Sequence, residues 1–246
     1  MIACESELHQ ASGSKDTLST LLKSTSATLT IDEITLLRYR IASELSPKTY
    51  LLEVSVRYPY RTEKQRGTGW RSDQGVIYTC SHIFPQGGKL EIEAWGADGS
   101  CQEAQIVWID SIADVALLRI KEGEKGGLKL RTDTLPRVGE TVFAIGAPFG
   151  LLGTLSEGFV SAPLRFIEVG ADRDTLPFLQ LSLPAQPGSS GSPIVDQRGY
   201  VVGMISDIAT LTDRYEGITF AIPAHVLNAV WLRYRSFVRN DSERTR

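Results

Sequence analysis

Ser190, His82 and Asp114 are the residues of this sequence whose types and order suit covalent chemistry. A serine hydroxyl is a weak nucleophile at neutral pH. To attack a carbonyl it needs a neighbouring base, and the base needs a third group that fixes its tautomer. The stretch Gln186 to Asp196, QPGSSGSPIVD, sets Ser190 between Gly188 and Gly191, with Ser192-Pro193 leading into a strand. Glycine around a nucleophile lets backbone N–H groups approach the oxyanion that develops on a substrate. Taken alone, the string also reads as a Ser/Gly/Pro turn. The base has few candidates, because the histidines are His9, His82 and His225, and only His82, in YTCSHIF, stands at the end of a β-type run. A histidine there reads by itself as structural. Asp114, in SIADVALLRI, directly precedes an apolar strand and is the candidate third member. Asp110 is the nearby competitor, and a strand-start turn residue is the plain alternative. The order histidine, aspartate, serine differs from hydrolases that run serine, acid, histidine and from those that run aspartate, histidine, serine.

The elements that must position these residues are short. From about residue 50 to 222 the runs LLEVSVRY, GVIYTCS, KLEIEAW, QIVWI, VALLRI, TVFAIG, GFVSA, FLQLSL, PIVD, YVVGMIS and ITFAIP alternate with turn residues. They make roughly eleven candidate strands. No long 3.6-residue period separates them, so the pattern predicts a closed antiparallel barrel, or a pair of them, rather than βαβ units. Two helices flank this region. Thr30 and Glu33 have capping-box spacing, and Ile31, Ile34, Leu37, Ile41 and Leu45 fall near one face before Pro47. That helix is expected to pack on the body or on a partner. After Pro223, AHVLNAVWLRYRSFV spaces Val226, Val230 and Tyr234 or Phe237 as a closing helix would, with Arg233, Arg235 and Arg239 toward its end. The expected organisation is a Ser/Thr-rich segment and helix over 1–46 and a catalytic domain over 47–240. Within it a first barrel spans about 47–135, a second about 136–222 and the closing helix 223–238.

A net charge of -3 and a pI near 5.7, with no block of like charge, disfavour nucleic acid and anionic membrane as partners. No apolar run approaches the roughly 20 residues that span a bilayer. The amino terminus, MIACESELHQ, lacks a basic-then-apolar pattern, so the expected location is cytoplasmic. Cys4, Cys80 and Cys101 form no C-x-x-C pair, and neither a zinc knuckle nor a disulfide framework is indicated. Reduced thiols are the preferred reading, a Cys80–Cys101 bridge the alternative. No metal and no cofactor are expected.

Several segments in order carry a family likeness. GTGWRSDQGVIYTCSHIF, DSIADVALLRI, the run from Val138 to Ala162, QRGYVVGMIS and GITFAIPAHV resemble the HtrA/Deg group of trypsin-like serine proteases over about residues 47–230. The resemblance implies two six-stranded antiparallel β-barrels of the chymotrypsin fold with the active site between them. It also implies His82, Asp114 and Ser190 as triad, with the N–H groups of Gly188 and Ser190 as oxyanion hole. The chain departs from the family where Gly191-Ser192 replaces a Gly-Gly pair, where Pro187 enters the oxyanion loop, and where Ile83 follows the histidine in place of the cysteine of secreted trypsins. No apolar, glycine-containing module follows residue 240, so the PDZ domain common in the family is expected to be absent.

In that fold the primary pocket is walled by Leu183 to Pro187 and by Ile205 to Asp207, with Gly217 to Thr219 beneath. Leu183, Ala185, Ile205 and Ser206 suggest a modest apolar substrate side chain. Asp207, if it points inward, would instead select Lys or Arg. Beside an active endopeptidase acting on protein or peptide stands a second reading. It is a protease-like scaffold that binds peptides or a regulator and cuts only when triggered, with the N-terminal helix as docking element. Oligomeric state is open, and Tyr50, Tyr58 and Tyr60 read first as ordinary barrel residues.

Overall fold

The computed structural model describes residues 31–85, 87–121, 126–169, 174–206 and 217–244. Residues 1–29, Thr30, Cys4, His9 and Asp207 fall outside this set. The chain divides into two units, 1–39 and 40–246. Helix α1 (Ile31–Leu45) crosses the division and carries Asp32 and Glu33 in its first turn, where the helix dipole favours acids. The second unit begins seven residues before the expected boundary at 47, because Ile41 and Leu45 are buried in it and the Arg40 guanidinium donates to Gln197 O at 2.8 Å.

The first barrel is built from β1 (Thr49–Arg57), β2 (Thr62–Arg71), β3 (Ile77–Thr79), β4 (Lys89–Gly96), β5 (Cys101–Asp110) and β6 (Val115–Ile120), closed in the order β1-β2-β3-β6-β5-β4. The second contains β7 (Thr141–Gly146), β8 (Thr154–Val169), β9 (Asp174–Ser182), β10 (Pro193–Asp196), β11 (Val201–Ile205) and β12 (Thr219–Pro223), in the order β10-β11-β12-β9-β8-β7. Closure leaves no exposed strand edge, as short antiparallel strands require. β1 shows the two-residue period directly: Tyr50, Leu52, Val54 and Val56 are buried while Leu51, Glu53 and Ser55 between them are partly exposed. The core of the second barrel is aliphatic, with Val142, Val160, Leu179, Leu181, Ile194 and Val202.

Two six-stranded barrels with helices at both ends match the fold the sequence implies. The strand missing from the sequence runs is β2, TEKQRGTGWR, which looks too charged and too glycine-rich for a core strand. Its first half faces solvent. Its second half, GTGWR, carries two glycines because a Cβ on Gly67 would meet Ile83 at 3.1 Å and Ser190 O at 3.3 Å, and one on Gly69 would meet Ile77 at 2.8 Å. Close approach to the nucleophile loop at Gly67, and to Leu52 and Ile77 at Gly69, weakens the apolar signal.

A connecting segment stitches the barrels by backbone bonds on both sides. Leu128 N donates to Arg71 O at 2.9 Å and Asp73 N to Leu128 O at 3.0 Å; Arg131 N donates to Val201 O and Val201 N to Lys129 O, both at 2.8 Å. The Arg131 side chain, 8% exposed, pairs with Glu140 and, at 3.1 Å, with Asp196 at the end of β10. Helix α2 (Ala224–Arg244) closes the unit, setting Tyr234 and Phe237 against Trp108 of β5 with ring centroids 6.2 and 5.5 Å away. It runs past residue 238 because nothing in RNDSER breaks a helix. Cys80 is a buried thiol and Cys101 an exposed one, and they are not joined in a disulfide.

Truncating Arg131 would leave the buried Asp196 carboxylate without its inward partner. Asp196 keeps Arg198 at 3.0 Å and the N–H groups of Arg198 and Tyr200, so Arg131→Ala is expected to destabilise the protein by about 1.5–3 kcal/mol. Urea unfolding should show a lower midpoint at an unchanged slope; an unchanged midpoint would mean the network carries no stability.

Candidate active site

Three separate chain turns bring the sequence candidates together. β3 ends at Thr79, and a 3-10 turn, Ser81–Ile83, projects His82 from its end. Asp114 occupies the turn between β5 and β6 with a left-handed backbone, φ 53°. This is a conformation that aspartate tolerates better than most residues. Ser190 lies in the 183–192 loop between β9 and β10, with Gly188 at φ 96° and Gly191 at φ 89° on either side. Gly191 has no substitute, since a Cβ there would stand 2.0 Å from Thr68 O.

His82 Nδ1 lies 2.8 Å from Asp114 Oδ2, and His82 Nε2 lies 3.1 Å from Ser190 Oγ. The His82 backbone N–H donates to Asp114 Oδ1 at 2.9 Å, so one carboxylate fixes both the ring and the main chain of the histidine. Ser81 Oγ donates to Oδ1 at 3.1 Å and Ser206 Oγ to Oδ2 at 2.7 Å. Asp114 is 2% exposed. Burial pushes its pKa up, but the hydrogen bonds and charge of His82, with the bond from Ser206, outweigh burial and hold it below the usual carboxylate range. Asp110, the competing acid, is used elsewhere: it caps its own turn through Ala113 N at 3.0 Å and pairs with Arg233 of α2 at 2.9 Å.

Thr68 of β2 is a residue the sequence reading did not single out. Its N–H donates to Ser190 O at 2.8 Å, its hydroxyl donates to Gly188 O at 2.8 Å, and the same hydroxyl accepts Ala147 N–H at 3.0 Å. One threonine therefore clamps the nucleophile loop on both sides of Ser190. Its signal was the tight G-T-G spacing, legible only once the loop is seen to lie against it. On the other side Gly191 N donates to Ile205 O at 2.9 Å. Ser192, where the family resemblance calls for glycine, buries a hydroxyl that has no hydrogen-bond partner among the described residues. Gly146 makes room for it, since a Cβ at 146 would fall 2.1 Å from Ser192 Oγ.

The residues expected to line the substrate pocket behave differently from one another. Leu183 and Ile205 are 0% and 1% exposed and belong to the core of the second barrel, and Ala185 is also buried there. Ser206 is buried with its hydroxyl engaged by Asp114 rather than facing a substrate. The donor atoms of Cys80, His82 and Asp114 lie within 4.8 Å of one another, a set with metal-ligand chemistry. Here Nδ1 and Oδ2 engage each other, and Cys80 Sγ donates to Ile205 O at 3.1 Å.

The chain is similar to known proteins. The family model described as a trypsin-like peptidase domain matches residues 67–204, more than half of the chain. A protein of Pseudomonas fluorescens named "Probable periplasmic serine endoprotease DegP-like" is 35% identical over 167 residues, covering 68% of this chain and 34% of that protein. One of the same name from Pseudomonas savastanoi is 36% identical over 168 residues (68% and 34%), and one from Chlamydia pneumoniae is 33% identical over 173 residues (70% and 35%). The chain thus spans about a third of the length of the curated relatives it matches. Their names correct the cytoplasmic expectation, for these relatives are described as periplasmic. That expectation rested on a missing amino-terminal pattern, and a missing pattern says nothing about where a folded domain works.

The Asp114 hydrogen bonds link its charge to stability. Its folded pKa is depressed, so its contribution is present above the unfolded carboxylate pKa and lost as pH falls through the folded one. Ser206→Ala removes a bond to a buried charge, which is expected to cost about 1.5–3 kcal/mol at neutral pH. It also raises the folded pKa, so acid unfolding should begin at higher pH than in wild type. Superimposable acid-unfolding curves would contradict this role for Ser206.

Proposed function

This chain belongs to the trypsin-like peptidase family, and on that footing we propose that it is a serine endopeptidase in which Ser190 attacks, His82 is general base and acid, and Asp114 orients the histidine. The observation that carries the reading is the continuous path Asp114 Oδ2 to His82 Nδ1 at 2.8 Å and His82 Nε2 to Ser190 Oγ at 3.1 Å. With Asp114 ionised, the Nδ1 proton is held toward the carboxylate, leaving the Nε2 lone pair facing the hydroxyl. His82 takes the Ser190 proton as Oγ bonds to the scissile carbonyl carbon. It returns that proton to the leaving amine as the C–N bond breaks. Water repeats the sequence on the resulting acyl-enzyme and frees Ser190.

The N–H groups of Gly188 and Ser190 are the oxyanion donors in this reading. Support comes from the peptide between Pro187 and Gly188: it is trans, and its carbonyl accepts Phe149 N–H at 2.7 Å. A planar trans amide directs N–H opposite to C=O, so Gly188 N–H is turned away from Phe149. That arrangement favours an enzyme ready at rest over a scaffold that awaits a trigger. Protein or peptide is the substrate class, and relatives named periplasmic extend the reading to work outside the cytoplasm.

Ser190→Ala is expected to lower turnover of an unfolded protein substrate by several orders of magnitude while leaving thermal unfolding near wild type. Undiminished proteolysis by the variant would rule out Ser190 as nucleophile.

A further inference from the structure

Phe149 holds a backbone that a bulky side chain enters at a cost. Its φ is 53°, in the left-handed region that Gly or Asn occupies more easily, and its ring is 64% exposed. Strain spent on presenting an apolar ring to solvent adds nothing to the core, and such outliers gather where ligands are met. The position fits. Phe149 N bonds Pro187 O at 2.7 Å, and a Cβ on Gly188 would stand 3.2 Å from that nitrogen. Gly150, next in the chain, is flanked by Arg66, whose Nη1 would lie 3.3 Å from a Cβ there; Gly67 in turn faces Ser190 O.

The Pro148–Leu151 turn and the Arg66–Thr68 part of β2 therefore flank the nucleophile loop on one side. Ile205 and Ser206, on the proposed pocket wall, flank it on the other through Gly191 N and Asp114. A substrate whose acyl half lies toward the pocket wall must lead its amine half over Arg66 and Phe149. Leu151 adds a second apolar side chain, 65% exposed. Arg66 is neutralised by Glu53 of β1, with contacts of 2.7 and 2.6 Å. The wall is thus apolar and carries no uncompensated charge.

Building on the endopeptidase reading, we propose that Phe149 and Leu151 form a subsite that selects an apolar side chain within the first two residues after the scissile bond. Peptides varied at those two positions, and a p-nitroanilide with the same acyl half and no residue beyond the bond, separate this role from a general one. Phe149→Asn keeps a residue that tolerates the left-handed backbone while removing the ring, and Leu151→Asn is the second variant. Wild type should prefer Leu or Phe over Asp, Lys or Ser at one of the two positions. In Phe149→Asn the ratio of kcat/KM for the Leu peptide to that for the anilide should fall about tenfold, mostly through KM, with the preference flattened. Absence of an apolar preference in wild type, or an equal fall on peptide and anilide with the preference intact, would overturn the subsite. Cleavage of neither substrate by wild type would overturn the endopeptidase reading and this one with it.

Discussion

A carboxylate taken out of water sets the terms for this fold. Burying an ionised Asp114 costs several kcal/mol unless its lone pairs are met. The donors come from places that only the assembled structure brings together: His82 and Ser81 after β3, and Ser206 after β11. The first two belong to one barrel and the third to the other. Asp114 therefore meets all of these donors only when the barrels meet, and the same bonds that satisfy it aim the imidazole at Ser190. Positioning the base and joining the barrels are one interaction.

Other bonds across the same seam repeat this logic with neutral groups. Thr68 of the first barrel holds Ser190 O and Gly188 O, Ala147 N of the second returns to Thr68, and Cys80 Sγ reaches Ile205 O. The connecting segment adds backbone pairing on both sides, and Arg131 anchors it through Glu140 and Asp196. A loop held from two barrels has few ways to relax. This is how a set of left-handed residues, Gly188 and Gly191 at no cost and Asp114 and Phe149 at some, is kept in place around one hydroxyl.

The strands and the site were legible in the sequence to different degrees, and the reasons are physical. Alternation exposed β1, and aliphatic runs exposed β6, β7 and β11, because a barrel buries every inward side chain. β2 escaped because Gly67 and Gly69 stand in its inner half for want of space, which weakens the pattern a strand is recognised by. The order of His82, Asp114 and Ser190 was readable because each type is scarce or flanked by a telling neighbour. Thr68 and the use of Ser206 on Asp114 were not, since a hydroxyl gives no sequence hint of which barrel it will bond across. Leu183 and Ile205 are buried among the aliphatic residues of the second barrel, which their place in the chain does not reveal. Location misled for another reason, as a pattern that is missing from a sequence carries no information about where the domain works.

The central claim is that the resting protein already holds Ser190, His82 and Asp114 in a working arrangement. Reaction of the folded protein with a fluorophosphonate, followed by mass spectrometry of its peptides, tests this directly. The account predicts prompt formation of one phosphonyl adduct, on Ser190, and its loss in His82→Ala. Folded protein that stays unlabelled, or an adduct that forms equally well without His82, would contradict it.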